Sequence, residues 1–466
     1  MLASRARLLG VPNPMLTLTQ AAEQIRTGQL SPLELTRACL ARIERLNPVL
    51  NAFITITAEP ALEQAQRAEA EVMAGHWRGP LHGIPIGLKD LLDTAGVLTT
   101  AASNQFPDRV PSEDAALVRQ LKQAGAVLVG KLNLHEFAFG GSGIVSAFGP
   151  VKNPWDLQRI TGGSSSGPAA AVAAGLCIAA IGTDTAGSIR CPSALCGIVG
   201  HRPSAGLLSC KGVVPLSTSF DTVGPMTRTV RDAVLLLGAL VADTGSSAPN
   251  DWAGLDDSVP GLRVGVARKS FFDDLQPEIA ACMEEAIAVI KTLVAEVADV
   301  ELEAGGYRAI FNAEIYEYHE AMVTKTPELY QPHTLPRILK CAGISAADYI
   351  RDWRSLASER NKAEELFQRV DVVVTPTVPV AAPRISELEA LGINDLRPFE
   401  TKYLLRNTSP FSVLYWPSVS VPCGFQREGL PVGLQISGKP GADATVLRLA
   451  HAYEQATQWH KRVPSE

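Results

Sequence analysis

The chain has 466 residues, 46% hydrophobic and 19% charged, with 38 glycines and 32 prolines. That is enough apolar material for a large core, which excludes intrinsic disorder and still leaves many loops. The formal net charge of -6 is small for this length and no Lys/Arg run is suited to a phosphate backbone, so no nucleic acid is expected as a partner.

In chain order, Arg5 and Arg7 are followed by breaks at Gly10, Pro12 and Pro14 before any apolar run develops, which predicts neither a secretory signal nor a membrane anchor. Thr17 and Gln20 stand at capping-box spacing and should start a helix. Ser31, Pro32 and Glu34 supply a cap, a first-turn proline and an acidic third residue for a second one. The second presents Leu35, Cys39, Ile43 and Leu46 on one face and is expected to stop at Pro48; a third runs from about 61 to Gly75. Residues 1–75 are therefore expected as an N-terminal helical layer, forming one unit with an α/β catalytic body over 76–466.

A strand at 84–89, a helix at 113–124 closed by Gly125 and a strand at 126–129 make a βαβ unit, hence parallel pairing. The alternation continues with strand 177–182, helix 230–241, strand 262–266, helix 277–297, strand 370–374 and late strands near 419–421 and 432–436. The stretch 304–368 reads as a mostly helical insertion. The apolar run 169–182 is interrupted by Gly175 and too short to span a bilayer, so no membrane contact is expected. The fold class predicted is α/β: a large mixed, mostly parallel twisted sheet covered on both faces by helices.

The eight cysteines are scattered, which predicts reduced thiols and a cytoplasmic protein. Cys191 and Cys196 are close, but no histidine at ligand spacing accompanies them, so no metal is expected.

Three segments carry chemistry. In the turn Gly182-Thr183-Asp184-Thr185-Ala186-Gly187-Ser188-Ile189-Arg190, a buried strand gives way to a helix, so Ser188 lies among unpaired N–H groups fit to hold an oxyanion. Alone, it is equally a glycine-rich turn with a capping serine. The loop Thr161-Gly162-Gly163-Ser164-Ser165-Ser166-Gly167 lacks both G-x-x-x-x-G-K-[ST] and G-x-G-x-x-G, which removes a phosphate cradle as its reading; a flexible connector remains open. Lys89 ends the apolar strand Ile84-Pro85-Ile86-Gly87-Leu88 and is a base only if burial or a nearby cation neutralises it.

Together with Leu81 to Asp90 and Gly429 to Gln435, these loops resemble the amidase signature family of serine hydrolases in order and spacing over the whole chain. The resemblance implies a Ser-cisSer-Lys triad: Ser188 as nucleophile, Ser164 as the proton-relaying serine at a cis peptide bond 24 residues earlier, and Lys89 as base. It implies an oxyanion hole from the N–H groups of Thr185, Ala186, Gly187 and Ser188, and an Asp184–Arg190 ion pair bracing that turn. It also places Phe139, Gly140, Gly141 and Ile144 in the acyl pocket, and no metal or organic cofactor is required.

The implied function is hydrolysis of a carboxamide C–N bond through an acyl-enzyme, extending to anilides, esters or carbamates. The partner expected is a small-molecule amide, and a homodimer is one state the resemblance allows. The alternative is the glutaminase component, the A chain, of a glutamyl-tRNA(Gln) amidotransferase complex. Against it stand Ile144 and Val145, which suggest an apolar pocket, and Cys191 in place of a glutamine. Two further departures, Ser166 for glycine and Ala186 for the first glycine of a Gly-Gly-Ser, bear on loop geometry.

Overall fold

The computed structural model describes residues 15–241, 254–303 and 305–465. The reading of Arg5 to Pro14 lies outside them.

Both N-terminal caps form. Thr17 Oγ1 accepts the Gln20 amide and Gln20 Oε1 accepts that of Thr17, opening helix Leu18–Arg26; Ser31 caps Pro32–Leu50. The latter does not stop at Pro48. It runs through the proline to Asn51, whose left-handed backbone (φ 56°) ends it, because a proline in the last turn gives up only one N–H. The third helix spans Ala58–Met73. The segment before residue 75 is not helical throughout, since a short strand precedes that helix.

The strands are β1 (Phe53–Ile56), β2 (Pro85–Lys89), β3 (Val127–Leu132), β4 (Lys152–Asn153), β5 (Asp156–Ile160), β6 (Ala179–Asp184), β7 (Val199–Arg202), β8 (Thr222–Thr227), β9 (Arg263–Ala267), β10 (Glu296–Val300), β11 (Val372–Pro376), β12 (Ser418–Phe425) and β13 (Pro431–Gly438). Eleven form one sheet in the order β1-β3-β2-β6-β8-β7-β12-β13-β11-β9-β10, with β4 and β5 a separate ribbon.

The large mixed sheet is thus as expected, with its parallel pairs confined to the flanks: β3/β2/β6 on one side and β11/β9/β10 on the other. Between them every pair is antiparallel. The alternation of strands and helices overstated the parallel share, because β8 follows β7, and β13 follows β12, with no helix between them.

Apolar side chains on the two faces feed separate cores. One lies under the helices Leu18–Arg26, Ala116–Gln123, Val230–Val241, Pro277–Leu293 and Asp443–Ala456. The other holds the small-residue helix Ser166–Ala173, whose Ala169, Ala170, Ala171 and Val172 are fully buried. The expected helix 277–297 ends at Leu293, after which the chain enters β10 beside β9. The stretch 304–368 is mostly helical, with Arg308–Lys325, Thr334–Leu339 and Ala346–Glu364 standing over one end of the sheet.

Candidate active site

Parallel pairing of β2 with β6 brings their carboxyl ends together, the edge of an α/β sheet where ligands gather. Lys89 ends β2, Thr183 lies one residue before the end of β6, and the loop carrying Ser164 crosses above both. Lys89 Nζ is fully buried, 2.7 Å from Ser164 Oγ and 2.7 Å from Thr183 Oγ1. The Gly163–Ser164 peptide is cis. Gly163 is required by close approach: a Cβ there would meet the amide of Gly143 at 2.8 Å and the carbonyl of Gly140 at 3.3 Å.

The amide of Ser165 donates to the carbonyl of Ser188 (3.1 Å), and the Ser165 hydroxyl donates to the carbonyl of Thr183 (3.1 Å), binding the two serine loops to each other and to β6. Ser188 is 4% exposed. The expected candidates Lys89, Ser164 and Ser188 therefore converge on one edge of the sheet.

Burial pushes the Lys89 amine down to about 7, against the pull of Asp221 and Asp184, whose negative charges favour the ammonium. Burial pushes the Asp221 carboxyl up to about 6, opposed by hydrogen bonds from Thr185, Leu216 and Ser217 and by the charge of Lys89. Nothing in the local sequence pattern marked Asp221. Thr183 lay inside a loop already singled out, and its place beside Lys89 follows from the strand pairing.

Asp184 and Arg190 form the expected ion pair, bidentate at 3.0 Å for both Nε and Nη2. Arg202 joins them at 3.3 Å. Burial raises the Asp184 carboxyl, but the two guanidiniums outweigh it and hold it well below the carboxylate range. Arg190 also reaches Gln435 Oε1 (2.8 Å), Ser412 Oγ (2.6 Å) and the carbonyl of Thr408 (3.0 Å), so the turn is anchored to β13 and to the segment before β12.

One oxyanion expectation changes. Gly187 N–H already donates to Asp184 Oδ1 at 2.8 Å and is not free for a substrate oxygen. Among the described residues the amides of Thr185, Ala186 and Ser188 donate to no other group. The glycine freedom of the turn is used at Gly187 (φ 133°), where a Cβ would overlap the Thr408 side chain, whereas Ala186 keeps ordinary backbone angles. The buried Ser166 hydroxyl has no hydrogen-bond partner among the described residues. Ser166 opens the buried helix Ser166–Ala173.

A cavity of about 630 Å³ opens beside this turn, with Thr185 and Ala186 on one wall and Phe139, Arg337 and Arg397 among the residues opposite. Of the expected pocket residues only Phe139 lines it. Gly140 and Gly141 are backbone packing elements: a Cβ on the first would enter the His135 ring, and one on the second would meet Leu405 at 3.1 Å. Ile144 and Val145 turn away into an apolar cluster with Ile160, Cys191 and Leu195. Neither of them lines this cavity, whose wall includes arginines from distant elements.

Glu400 ties this wall to the loops. Its Oε1 accepts from the Ser142 amide (3.1 Å) and hydroxyl (2.6 Å), and its Oε2 from Arg337 Nη1 (2.9 Å). His135, pushed down to about 3 by burial, accepts the Gly143 amide at Nδ1. Among the described residues no group of three or more His, Cys, Asp or Glu side chains is placed to hold a metal, and no helix is long and apolar enough to cross a membrane.

Known proteins share this architecture. A family model described as Amidase matches residues 34–447. The A chain of the glutamyl-tRNA(Gln) amidotransferase of Roseiflexus sp. (strain RS-1) is 40% identical, covering 96% of this chain and 98% of its own. The solved peptide amidase from Stenotrophomonas maltophilia is 31% identical at a TM-score of 0.84, covering 98% and 99%. 6-Aminohexanoate cyclic dimer hydrolase is 29% identical at a TM-score of 0.87, covering 97% and 99%.

These relatives correct the partner expectation. A chain that deals with a small molecule alone and has no link to nucleic acid does not accord with relatives named as components of a tRNA amidotransferase. The expectation rested on the absence of a basic run. That feature reports only on a surface that itself follows a phosphate backbone, not on membership of an assembly.

Proposed function

Because the chain belongs to the amidase family, we propose that it hydrolyses a primary carboxamide through an acyl-enzyme on Ser188, with Ser164 relaying the proton and Lys89 as the base. The observation that carries this reading is the buried Lys89 amine 2.7 Å from Ser164 Oγ, held near neutrality by burial. Neutral Lys89 takes the Ser164 proton while Ser164 takes that of Ser188, whose oxygen attacks the carbonyl carbon. The amides of Thr185, Ala186 and Ser188 receive the oxyanion, each donor contributing roughly 2.7–4 kcal/mol by analogy with known holes. The relay then protonates the departing nitrogen, and water releases the acid by the reverse path. Esters, anilides and carbamates fit the same chemistry.

The curated relatives favour a tRNA amidotransferase assembly, rather than a free-standing amidase, for the setting in which this chain works. In that setting the hydrolysis releases ammonia. A cytoplasmic location is part of this reading, in keeping with eight unpaired cysteines.

A serine-reactive fluorophosphonate followed by intact-mass and peptide mapping tests the chemistry: one adduct on Ser188, none in Ser188→Ala. An adduct that survives the substitution moves the nucleophile elsewhere. Amide-dependent conversion of Glu-tRNA by complexes isolated from the source cell tests the setting.

A further inference from the structure

Where β6 gives way to the turn, a side chain takes over from the main chain. The β6/β8 ladder ends at the pair Asp184 and Thr222. One step beyond it, Thr185 Oγ1 donates to Asp221 Oδ1 at 2.5 Å, the length of a bond to an ionised acceptor. Thr185 is thus gripped by its hydroxyl. Its N–H donates to no other group among the described residues, and the residue lines the cavity. A grip on that N–H would consume an oxyanion donor, whereas a grip on the hydroxyl fixes the residue and spares the donor.

Asp221 is itself held on its other side. Its Oδ2 accepts the amides of Leu216 (2.9 Å) and Ser217 (3.1 Å), and its own amide donates to the Ser217 carbonyl at 2.9 Å, so the loop closes on the carboxylate and fixes its plane. The helical insertion then holds the loop. Glu314, in the helix Arg308–Lys325, accepts the Ser217 hydroxyl (2.5 Å) and the Ser219 amide (3.0 Å) at Oε2, and the hydroxyls of Ser219 and Tyr349 (3.2 Å for the latter) at Oε1. Phe220, between the two ends of this loop, packs with Ile310 and Leu356 of the insertion and with Val413. A continuous path of hydrogen bonds therefore runs from Glu314 through Ser217 and Asp221 to Thr185.

From this path we infer that Asp221 is a positioning residue for the oxyanion donor Thr185, and that Glu314 positions Asp221, so that the helical insertion takes part in setting the geometry of the turn. An oxyanion donor is effective only where it is held in place before the charge develops, and a displacement of about 1 Å costs roughly 100-fold in rate. The carboxylate does not oppose the oxyanion as a bare charge, because three donors, Thr185 Oγ1 and the amides of Leu216 and Ser217, take it up. The inference rests on the acyl-enzyme on Ser188 proposed above. It is separate from the pull of Asp221 on the Lys89 ammonium, which acts on the pH at which the base is free and not on the rate once it is free.

The test is the rate at which a fluorophosphonate labels Ser188 in the full-length protein. Ser188 Oγ bonds to phosphorus, fluoride leaves with the P–F electrons, and the phosphoryl oxygen stands in for the carbonyl oxygen. Labelling is followed at about pH 8.5, where Lys89 is neutral in every variant, so its titration does not enter. Thr185→Val keeps the branched shape and loses the hydroxyl; it should lower kinact about 10- to 100-fold with KI within about threefold, while Thr185→Ser keeps most of the rate. Asp221→Asn, whose amide accepts on one side only, should fall in the same range. The double variant Thr185→Val/Asp221→Asn should be slower than the slower single by less than about threefold, because both remove one link. Glu314→Ala should slow labelling at least about threefold, and the loss should vanish in the Asp221→Asn background. Thr185→Val labelled within threefold of the unsubstituted rate, single losses that multiply in the double variant, or a Glu314→Ala loss that persists beside Asp221→Asn overturns the inference. The Thr185→Val and Thr185→Ser pair carries the test where Asp221→Asn weakens the fold. Folded, unsubstituted protein that forms no Ser188 adduct refutes the hydrolysis proposal instead.

Discussion

Replacing Lys89 by methionine keeps the volume of the side chain and removes its charge, and besides inactivating the protein it should shift relative stability in favour of the variant as pH falls towards neutrality. An ordinary lysine ionises at 10.5 and the buried Lys89 at about 7. The unfolded chain therefore holds a proton that the folded one lacks throughout the interval between them, and folding of the unsubstituted protein weakens as pH falls across it. From pH 10 to pH 7 the proton linkage costs roughly 3.5 kcal/mol, and below pH 7 the penalty levels off because both states are protonated. Methionine removes that penalty and leaves the hydroxyls of Ser164 and Thr183 without their partner, a loss of order 1–3 kcal/mol each that does not vary with pH. The informative quantity is thus the difference between variants as a function of pH. Spread over 466 residues, it corresponds to roughly 3 to 4 °C in melting midpoint. Scanning calorimetry of both proteins from pH 6.5 to 10 should show the difference shifting in favour of the methionine variant by that amount towards neutrality. A difference that stays constant within about 1 °C means that Lys89 does not titrate near neutral pH, and the relay loses its base.

The amide rate of the unsubstituted enzyme should fall as Lys89 takes up its proton, to roughly a tenth of its plateau at pH 6, and a flat profile between pH 5.5 and 8 would contradict this. Asp221→Asn removes a negative charge that favours the ammonium, so the acid limb should move to lower pH; a move to higher pH would reverse the assigned sign. Lys89→Met should lose amide turnover about 100-fold or more and matched ester turnover distinctly less, because an alkoxide departs without protonation more readily than an amine; equal losses would argue against a proton relay. Gly187→Ala combines a strained backbone with overlap of the Thr408 side chain and should depress kcat far more than it raises KM, whereas Ala186→Gly should change kcat by less than about threefold. A Gly187→Ala enzyme of ordinary activity would show that the turn has room to adjust.

The parts of this site readable in the sequence are those whose identity is dictated by short backbone patterns. Glycine at 163 sits where main chains nearly touch, and glycine at 187 has φ 133° under the Thr408 side chain; such positions tolerate few other residues. Lys89 could be singled out because it ends an otherwise apolar strand. Asp221, Arg202, Arg337 and Glu400 come from elements scattered along the chain. Each is an ordinary polar residue in its local context and gains its role only through tertiary packing. The same holds for the cavity, where Ile144 and Val145 looked like wall residues and instead pack in an apolar cluster, while arginines from the helical insertion (Arg308, Arg337) and from later in the chain (Arg397, Arg406) line it. In the fold, strands of four or five residues such as β1, β7 and β10 escaped notice, β10 because the alanines and valines after Leu293 continue an apolar helical period.

The anchoring of the Asp184 turn by Thr408, Ser412 and Gln435 has a consequence for biosynthesis. Lys89, Ser164 and Ser188 are all translated before residue 190, yet the arginine that braces their turn finds its remaining partners more than two hundred residues later. A nascent polypeptide that has reached residue 190 therefore still lacks these partners, and the turn is braced in full only after the final hairpin emerges from the ribosome and inserts.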